Sequence, residues 1–328
     1  MKKKDRKFSK CLITGITGSG GSYLAEKINI KSPKTKIYGT FRSVGFKKIL
    51  QSNIKNLKLE KVDLKKFKKL KTFIKKTNPD LIFHFASNAD VRSSFDDPLE
   101  FSTNNNSITI NLLEAIKQIG INPLIIICSS SEVYGKVTRK DIPLTEKQKF
   151  NPVNPYAATK AFQDFISQIY MNSFNLNIII TRMFSYTNAR RKNLFQTSFA
   201  NQIIDIERGK KNILKHGNLE SIRTFIDIDD AMEAYWLTAT RGKVREIYNI
   251  GGDKIISVKN FLKELCLASK EKIICKVDKN LLRPTDVTLQ ITNSKKFRKH
   301  TRWKPKIKFN ESVIKLLKEC KKLKDTGY

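Results

Sequence analysis

Long apolar runs are missing from this chain of 328 residues. None reaches the roughly 18 residues that a membrane-spanning helix needs. The N-terminal stretch MKKKDRKFSKCLITG is basic, but it lacks the apolar region and small-residue cleavage site of a secretory signal. The expected location is therefore cytoplasmic. Cysteines are few and scattered: Cys11, Cys128, Cys266, Cys275 and Cys320, with no CxxC pair. Their odd number and the absent signal point to reduced, mostly buried thiols rather than a disulfide framework. The three histidines lie too far apart to build a zinc site, and no metal is expected. Negative charge is scarce, with 30 Asp and Glu against 64 Lys and Arg, a net charge of +34. Such an excess raises the nucleic-acid-binding class. The lysines, however, run along the whole chain, and there is no basic helix with interleaved aromatics and no RRM, KH or zinc-finger pattern. The reading is a lysine-rich surface with no specific nucleic-acid partner and no membrane, which still attracts an anionic small substrate.

What is present is core-forming material: 40% of the residues are hydrophobic. The length suits one α/β unit with a smaller lobe. KCLITG, KIYGTF, LEKVDL, DLIFHFAS, PLIIICSSS and LNIIITRMF read as strands. Between them GGSYLAEKI, KKFKKLKTFIKKT, SITINLLEAIKQIG and NPYAATKAFQDFISQIYMNSF read as helices. Apolar strands without polar alternation, separated by helices, imply a parallel sheet covered on both faces. The expected fold is α/β: a Rossmann-type doubly wound parallel sheet over 1–185, binding NAD(P). A smaller C-terminal substrate-binding lobe over 186–328 is interleaved with the last elements of the sheet. A helix is expected around 195–208, and a final one over NESVIKLLKECKKL, whose charge order suits the helix dipole.

Gly15, Gly18 and Gly21 stand three apart between the first strand and the first helix. Glycine there permits a tight turn and close approach to a pyrophosphate, which the helix N-terminus attracts. The second strand ends in Arg42, where a carboxylate would hold the ribose 2′-hydroxyl of NAD. Arginine suits a 2′-phosphate, which favours NADP, with NAD as the other option. The same arginine also reads as an exposed loop residue.

Tyr156 and Lys160 are four apart at the start of a helix and so share a face. The ammonium can lower the phenol's pKa, leaving it able to exchange a proton with a substrate hydroxyl. Upstream, the strand end CSSSEVYG offers Ser130 to hydrogen-bond a reacting oxygen. Glu132 lies two residues further, and an extended chain points both side chains the same way. A redox pair needs no such carboxylate. A base beside the oxidised carbon turns oxidation into elimination. The plainer reading of Glu132 is a loop-facing or capping residue, or one that orients substrate hydroxyls.

At these residues the chain resembles the extended short-chain dehydrogenase/reductases acting on nucleotide sugars, and within them the GDP-mannose 4,6-dehydratase family. GITGSGGSYLAE, FHFASNADVRSSF, CSSSEVYG, NPYAATK, RMFSYTNARRKNLF, GNLESIRTFIDIDDAMEAYW, YNIGG and LLRPTDVTLQI carry the likeness nearly end to end. The resemblance implies that Tyr156, aided by Lys160, takes the sugar 4-hydroxyl proton and that Glu132 removes the C5 proton. Ser130, where the family has threonine, would bond the C4 oxygen. Asp63 and Leu64 would border the adenine, and Asn105 would support the site. Asn218 would line the guanine site, Arg223 and Arg283 would meet the diphosphate or ribose, and Asp286 a ribose hydroxyl. The family's substrate-binding asparagine is Ser185 here, its Gly-Pro pair is Asn188-Ala189, and a helix glycine is Ile108. The product would be GDP-4-dehydro-6-deoxy-mannose plus water, made by a homodimer or homotetramer. The alternatives are the related GDP-4-dehydro-6-deoxy-mannose reductase, a GDP-heptose dehydratase, a nucleotide-sugar epimerase, or an NADP-binding regulatory protein with a basic nucleic-acid-docking surface.

Overall fold

The computed structural model describes residues 5–328. The first half alternates β1 (Lys10–Thr14), α1 (Ser19–Lys31), β2 (Lys36–Phe41), α2 (Lys47–Asn53), β3 (Leu57–Lys61), α3 (Phe67–Thr77) and β4 (Leu81–His84). It continues with α4 (Ser93–Asp96), α5 (Pro98–Ile119), β5 (Leu124–Ser130), α6 (Pro155–Ser173) and β6 (Ile178–Met183). The second half runs β7 (Ser185–Tyr186), α7 (Phe195–Glu207), β8 (Leu214–His216), β9 (Ile222–Ile226), α8 (Ile228–Arg241), β10 (Ile247–Ile250) and β11 (Lys254–Ser257). It ends with α9 (Val258–Leu267), β12 (Cys275–Val277), β13 (Leu289–Gln290), α10 (Lys295–Thr301) and α11 (Phe309–Asp325). Among the described residues no helix is long and apolar enough to cross a membrane.

Seven parallel strands form the main sheet in the order β10-β6-β5-β4-β1-β2-β3. Alternate residues of each strand feed opposite cores, as the two-residue period requires. In β5, Leu124 and Ile126 pack with α1 and α8 residues, while Ile125 and Ile127 pack with α3, α5 and α6. Burial on both faces explains why these strands read as unbroken apolar runs. The chain winds outward from β1 to β3, then returns to β4 beside β1. That reversal opens a crevice at the strands' carboxyl ends.

A second sheet is built on β9, flanked by β11 and β13, with β7 also paired to β9. It has its own core, centred on Phe225, Phe261 and Ile203, with Phe195 and Phe309 against it. Strand β10, which follows this lobe in sequence, returns to the main sheet beside β6.

Three local readings differ from the structure. The third strand stops at Lys61, before the VDL segment, because Val62 and Leu64 turn inward beyond the sheet edge. Helix α5 starts at Pro98 rather than Ser107. Asp97 caps it by accepting from Glu100 N at 2.9 Å, and proline suits the first helical position. The Asn104–Asn105–Asn106 run disguises this start, since asparagine is a weak helix former. Helices α2 and α4 are additional.

Candidate active site

One cavity of about 410 Å³ occupies the crevice and continues under the lobe. The glycine turn forms its inner wall. Gly15 has φ +67°, and a Cβ there would stand 2.8 Å from Ala86 Cα. A Cβ on Gly21 would stand 2.6 Å from the Gly15 carbonyl oxygen. Only glycine fits at either position. Gly18, Ser19, Gly20 and Gly21 line the cavity at the start of α1, whose N-terminus no side chain caps. Arg42, Asp63 and Leu64 line the same cavity. Arg42 is exposed in the bend after β2, as its loop reading had it, and is tethered there: it donates to Asn104 Oδ1 at 3.1 Å and Asn88 Oδ1 at 3.2 Å. A narrow glycine wall, a bare helix N-terminus and an arginine suit an anionic dinucleotide.

At the far end stand Ser130, Tyr156 and Lys160. Asn154 caps α6 by accepting from Ala157 N at 2.7 Å, with Pro155 in the first turn, and this places Tyr156 at the cavity wall. Lys160, one turn on, is buried. Its Nζ donates to the Cys128 carbonyl at 2.8 Å and to Gln163 Oε1 at 2.9 Å. Behind Gln163 the chain of bonds continues through Thr109 to His84 and Thr14. Burial lowers the His84 pKa to about 3, so this ring is neutral. Burial also pulls the Lys160 pKa down to about 8, and the nearby Arg191 charge acts in the same direction.

Burial raises the Tyr156 phenol well above its ordinary range. The main opposing influence is the positive charge of Arg191, followed by a hydrogen bond with Ser130. The Lys160 ammonium lies 5.9 Å from the phenol ring centre and is held by Cys128 and Gln163. The positive charge that acts on the phenol is thus that of Arg191, a residue that sequence spacing did not suggest. Arg191 donates to the Ala89 carbonyl at the cavity wall.

Glu132 lines the cavity too, but not by the route expected. Residues Ser131–Tyr134 form a single 3₁₀ turn, so the chain is not extended past Ser130. Ser130 caps that turn, accepting from Glu132 N at 3.2 Å. The carboxylate is engaged: Oε1 accepts from Gln290 Nε2 at 3.0 Å and Arg223 Nη1 at 3.3 Å, and Oε2 from Asn154 Nδ2 at 3.3 Å.

Ser185, Arg223 and Arg283 line the cavity from the lobe. Asn218 donates to Asp286 at 3.1 Å, and Arg283 lies 3.6 Å from Asp286, so these three form one group, of which only Arg283 lines the cavity. Arg223 instead stands beside Glu132. Asn105 is buried. Its amide accepts from Asn88 N at 2.8 Å and donates to Thr159 Oγ1 at 3.0 Å, tying the loop after β4 to α6. Of the departures from the family pattern, Asn188 closes its own turn by accepting from Arg190 N at 3.0 Å. Ala189 packs in the lobe core, and Ile108 packs against the sheet at the cavity wall. Sequence reasoning missed Asn154, Arg191 and Gln290. The Asn-Pro pair before the tyrosine is a readable cap signal. Gln290 carries none, because its bond to Glu132 spans 158 residues.

Fold and site together define an extended short-chain dehydrogenase/reductase. The sequence pattern described as GDP-mannose 4,6 dehydratase matches residues 12–316, and the chain belongs to that enzyme family. It is 29% identical to a GDP-mannose 4,6 dehydratase of Dictyostelium discoideum, over 93% of this chain and 94% of that one. Among solved structures it is similar to RMD from Pseudomonas aeruginosa complexed with NADPH, with TM-score 0.80, 22% identity, and 96% and 98% of the two chains covered. It is also similar to a Bacillus cereus UDP-glucuronic acid 4-epimerase in complex with UDP-glucuronic acid and NAD, with TM-score 0.85, 23% identity, and 96% and 99% covered.

Proposed function

We propose that this protein is a nucleotide-sugar 4,6-dehydratase that converts GDP-mannose to GDP-4-dehydro-6-deoxy-mannose and water. The observation that carries this reading is a carboxylate, Glu132, sharing one cavity with Ser130, Tyr156 and Lys160. A nicotinamide cofactor, NADP on the strength of Arg42, supplies reversible hydride acceptance when bound beside the glycine turn. Gly15, Gly18, Gly21, Arg42, Asp63 and Leu64 would hold it.

The chain's own residues move the protons. Ser130 hydrogen-bonds the sugar oxygen at C4, and Tyr156 takes that hydroxyl's proton as the carbon is oxidised. Lys160 holds positive charge next to the phenol, and Arg191 adds to it. Oxidation at C4 acidifies the C5–H bond. Glu132 then takes the C5 proton, and the C6 hydroxyl leaves as water with a proton from the site. C5 is reprotonated as C6 is reduced, so no net redox change occurs. Arg283, Asn218 and Asp286 would hold the GDP portion, and arginine's fork matches phosphate oxygens. Ser185 offers a shorter polar contact to the sugar than the family's asparagine.

The test is incubation with GDP-mannose and a catalytic amount of NADP, with products read by mass spectrometry. Loss of one water without cofactor consumption is expected, and Glu132→Gln abolishes it. Stoichiometric NADPH consumption without water loss points instead to the reductase and overturns the reading.

A further inference from the structure

The carboxylate proposed as the base is gripped from both parts of the molecule. Asn154, at the start of α6, holds Oε2. Arg223 and Gln290, from β9 and β13, hold Oε1. These two strands pair in parallel with Gln290 opposite Arg223, so sheet register delivers the amide and the guanidinium side by side. Gln290 is only 2% exposed. Its Nε2 donates to Glu132, while its Oε1 accepts from the same Arg223 Nη1 that reaches Glu132. Arg223 Nη2 goes to the Val287 carbonyl at 3.1 Å, and its buried Nε has no partner among the described residues. Arg223 thus meets the carboxylate through one shared nitrogen, at 3.3 Å, and not as a two-pronged fork.

We infer that Gln290 is a positioning residue for Glu132: its amide aims the carboxylate and keeps Arg223 from becoming its undivided ion-pair partner. This rests on the dehydratase reading above. The physical reason is a conflict of demands. A base must be held in place, yet it must accept a proton. A full arginine fork would orient the carboxylate but would also favour its charged form and so weaken it as a base. A neutral amide donor orients it without adding charge. Gln290 also satisfies part of Arg223, which lessens the arginine's demand on Glu132. The other charged and titratable groups lining the same cavity are Arg42, Asp63, Cys128, Tyr156, Lys160, Tyr186, Arg191, Arg223, Tyr235 and Arg283. Any change in Glu132 protonation is read against these.

The experiment compares Gln290→Leu and Gln290→Glu with the unaltered protein. Water loss from GDP-mannose is followed across pH by mass spectrometry in deuterium oxide, which marks proton exchange at C5. First-turnover NADPH absorbance reports C4 oxidation separately. Carbon-13 NMR titration of the Glu132 carboxyl in the cofactor-free protein reads the contact directly. Gln290→Leu is expected to slow water loss and C5 exchange by about tenfold to a hundredfold, the range for a hydrogen bond to a charged group, with first-turnover oxidation little changed. Gln290→Glu adds a like charge, which disfavours ionisation. Glu132 then titrates at higher pH than in the unaltered protein, and the acid limb of the water-loss profile rises with it. If the unaltered protein dehydrates and both variants match its rate and pH profile, Gln290 has no positioning role. If the unaltered protein forms no dehydrated product, the dehydratase reading fails, and the NMR titration alone decides on the contact. An unmoved Glu132 titration in the near-isosteric Gln290→Glu, which tests the contact even where Gln290→Leu does not fold, overturns the inference.

Discussion

Lys160 shows at single-residue scale what an active site costs the fold. Its ammonium is buried, and burial lowers its pKa from the ordinary 10.5 to about 8. In the unfolded chain it titrates near its ordinary value. Between the two values the unfolded state binds the extra proton, so stability rises with pH through that window. Below it, the full penalty of burying the charge is present. Lys160→Met removes the charge but leaves the Cys128 carbonyl and Gln163 Oε1 without this donor. The expected result is that the stability of Lys160→Met relative to the unaltered protein falls by about 2 to 3 kcal/mol between pH 7 and pH 10. Urea unfolding midpoints at the two pH values check it. A difference that stays constant means that Lys160 is not charged at cost in the native site. Tyr156 and Lys160 were legible in the sequence because their relation is one helical turn. Arg191 was not, because its influence on the phenol is set by the loop after β7 folding back over the cavity.

At the scale of elements, α6 is the piece on which the site depends. Asn154 uses its two amide atoms for different tasks: Oδ1 caps the helix, and Nδ2 holds Glu132. Two substitutions separate these tasks. Asn154→Ala removes both and is expected to cost about 1 kcal/mol of stability, as for other lost caps. Asn154→Asp keeps a capping oxygen but turns an acceptor toward Glu132, so stability is retained while water loss falls. Thermal midpoints and product assays on the same preparations check the pair. If both variants lose stability equally, the capping role is wrong. The elements themselves were legible where periodicity extends over several residues, as in β5, β6 and α6. The turn at Ser131–Tyr134 was not. Its serine, glutamate, valine and tyrosine include no glycine, proline or asparagine to mark a turn, and the buried Ser131, Val133 and Tyr134 hold it through tertiary packing. The start of α5 was hidden for a related reason: its weakly helical asparagines are held by bonds to Arg42, Asn88 and Thr159.

On the whole-molecule scale, the apolar surface points to self-association. On α6, Phe165 and Ile169 are four residues apart and about half exposed, with Phe174 also exposed at the helix end. Leu99, at the start of the neighbouring α5, is 77% exposed. Residues four apart share a helix face, so Phe165 and Ile169 stand together on α6, and exposed apolar side chains grouped on one face mark an association surface. We propose a homodimer in which this face of α5 and α6 packs on its two-fold copy. Phe165→Glu is expected to halve the mass seen by light scattering at micromolar concentration. An unaltered protein that is already monomeric overturns the proposal.

The sequence by itself determined the parallel α/β order, the glycine turn and the Tyr156–Lys160 pair. Each depends on residues close along the chain, where local sterics and helical or strand periodicity are sufficient. It also contained Ser130 and Glu132 as neighbours. Only the tertiary structure decided that Glu132 reaches the cavity through a turn and meets Asn154, Arg223 and Gln290 there. Arg223 and Gln290 come from lobe strands that meet Glu132 only where the lobe packs on the sheet. Spacing along the chain holds no record of such contacts, because register between distant strands is set by the packing of the whole core.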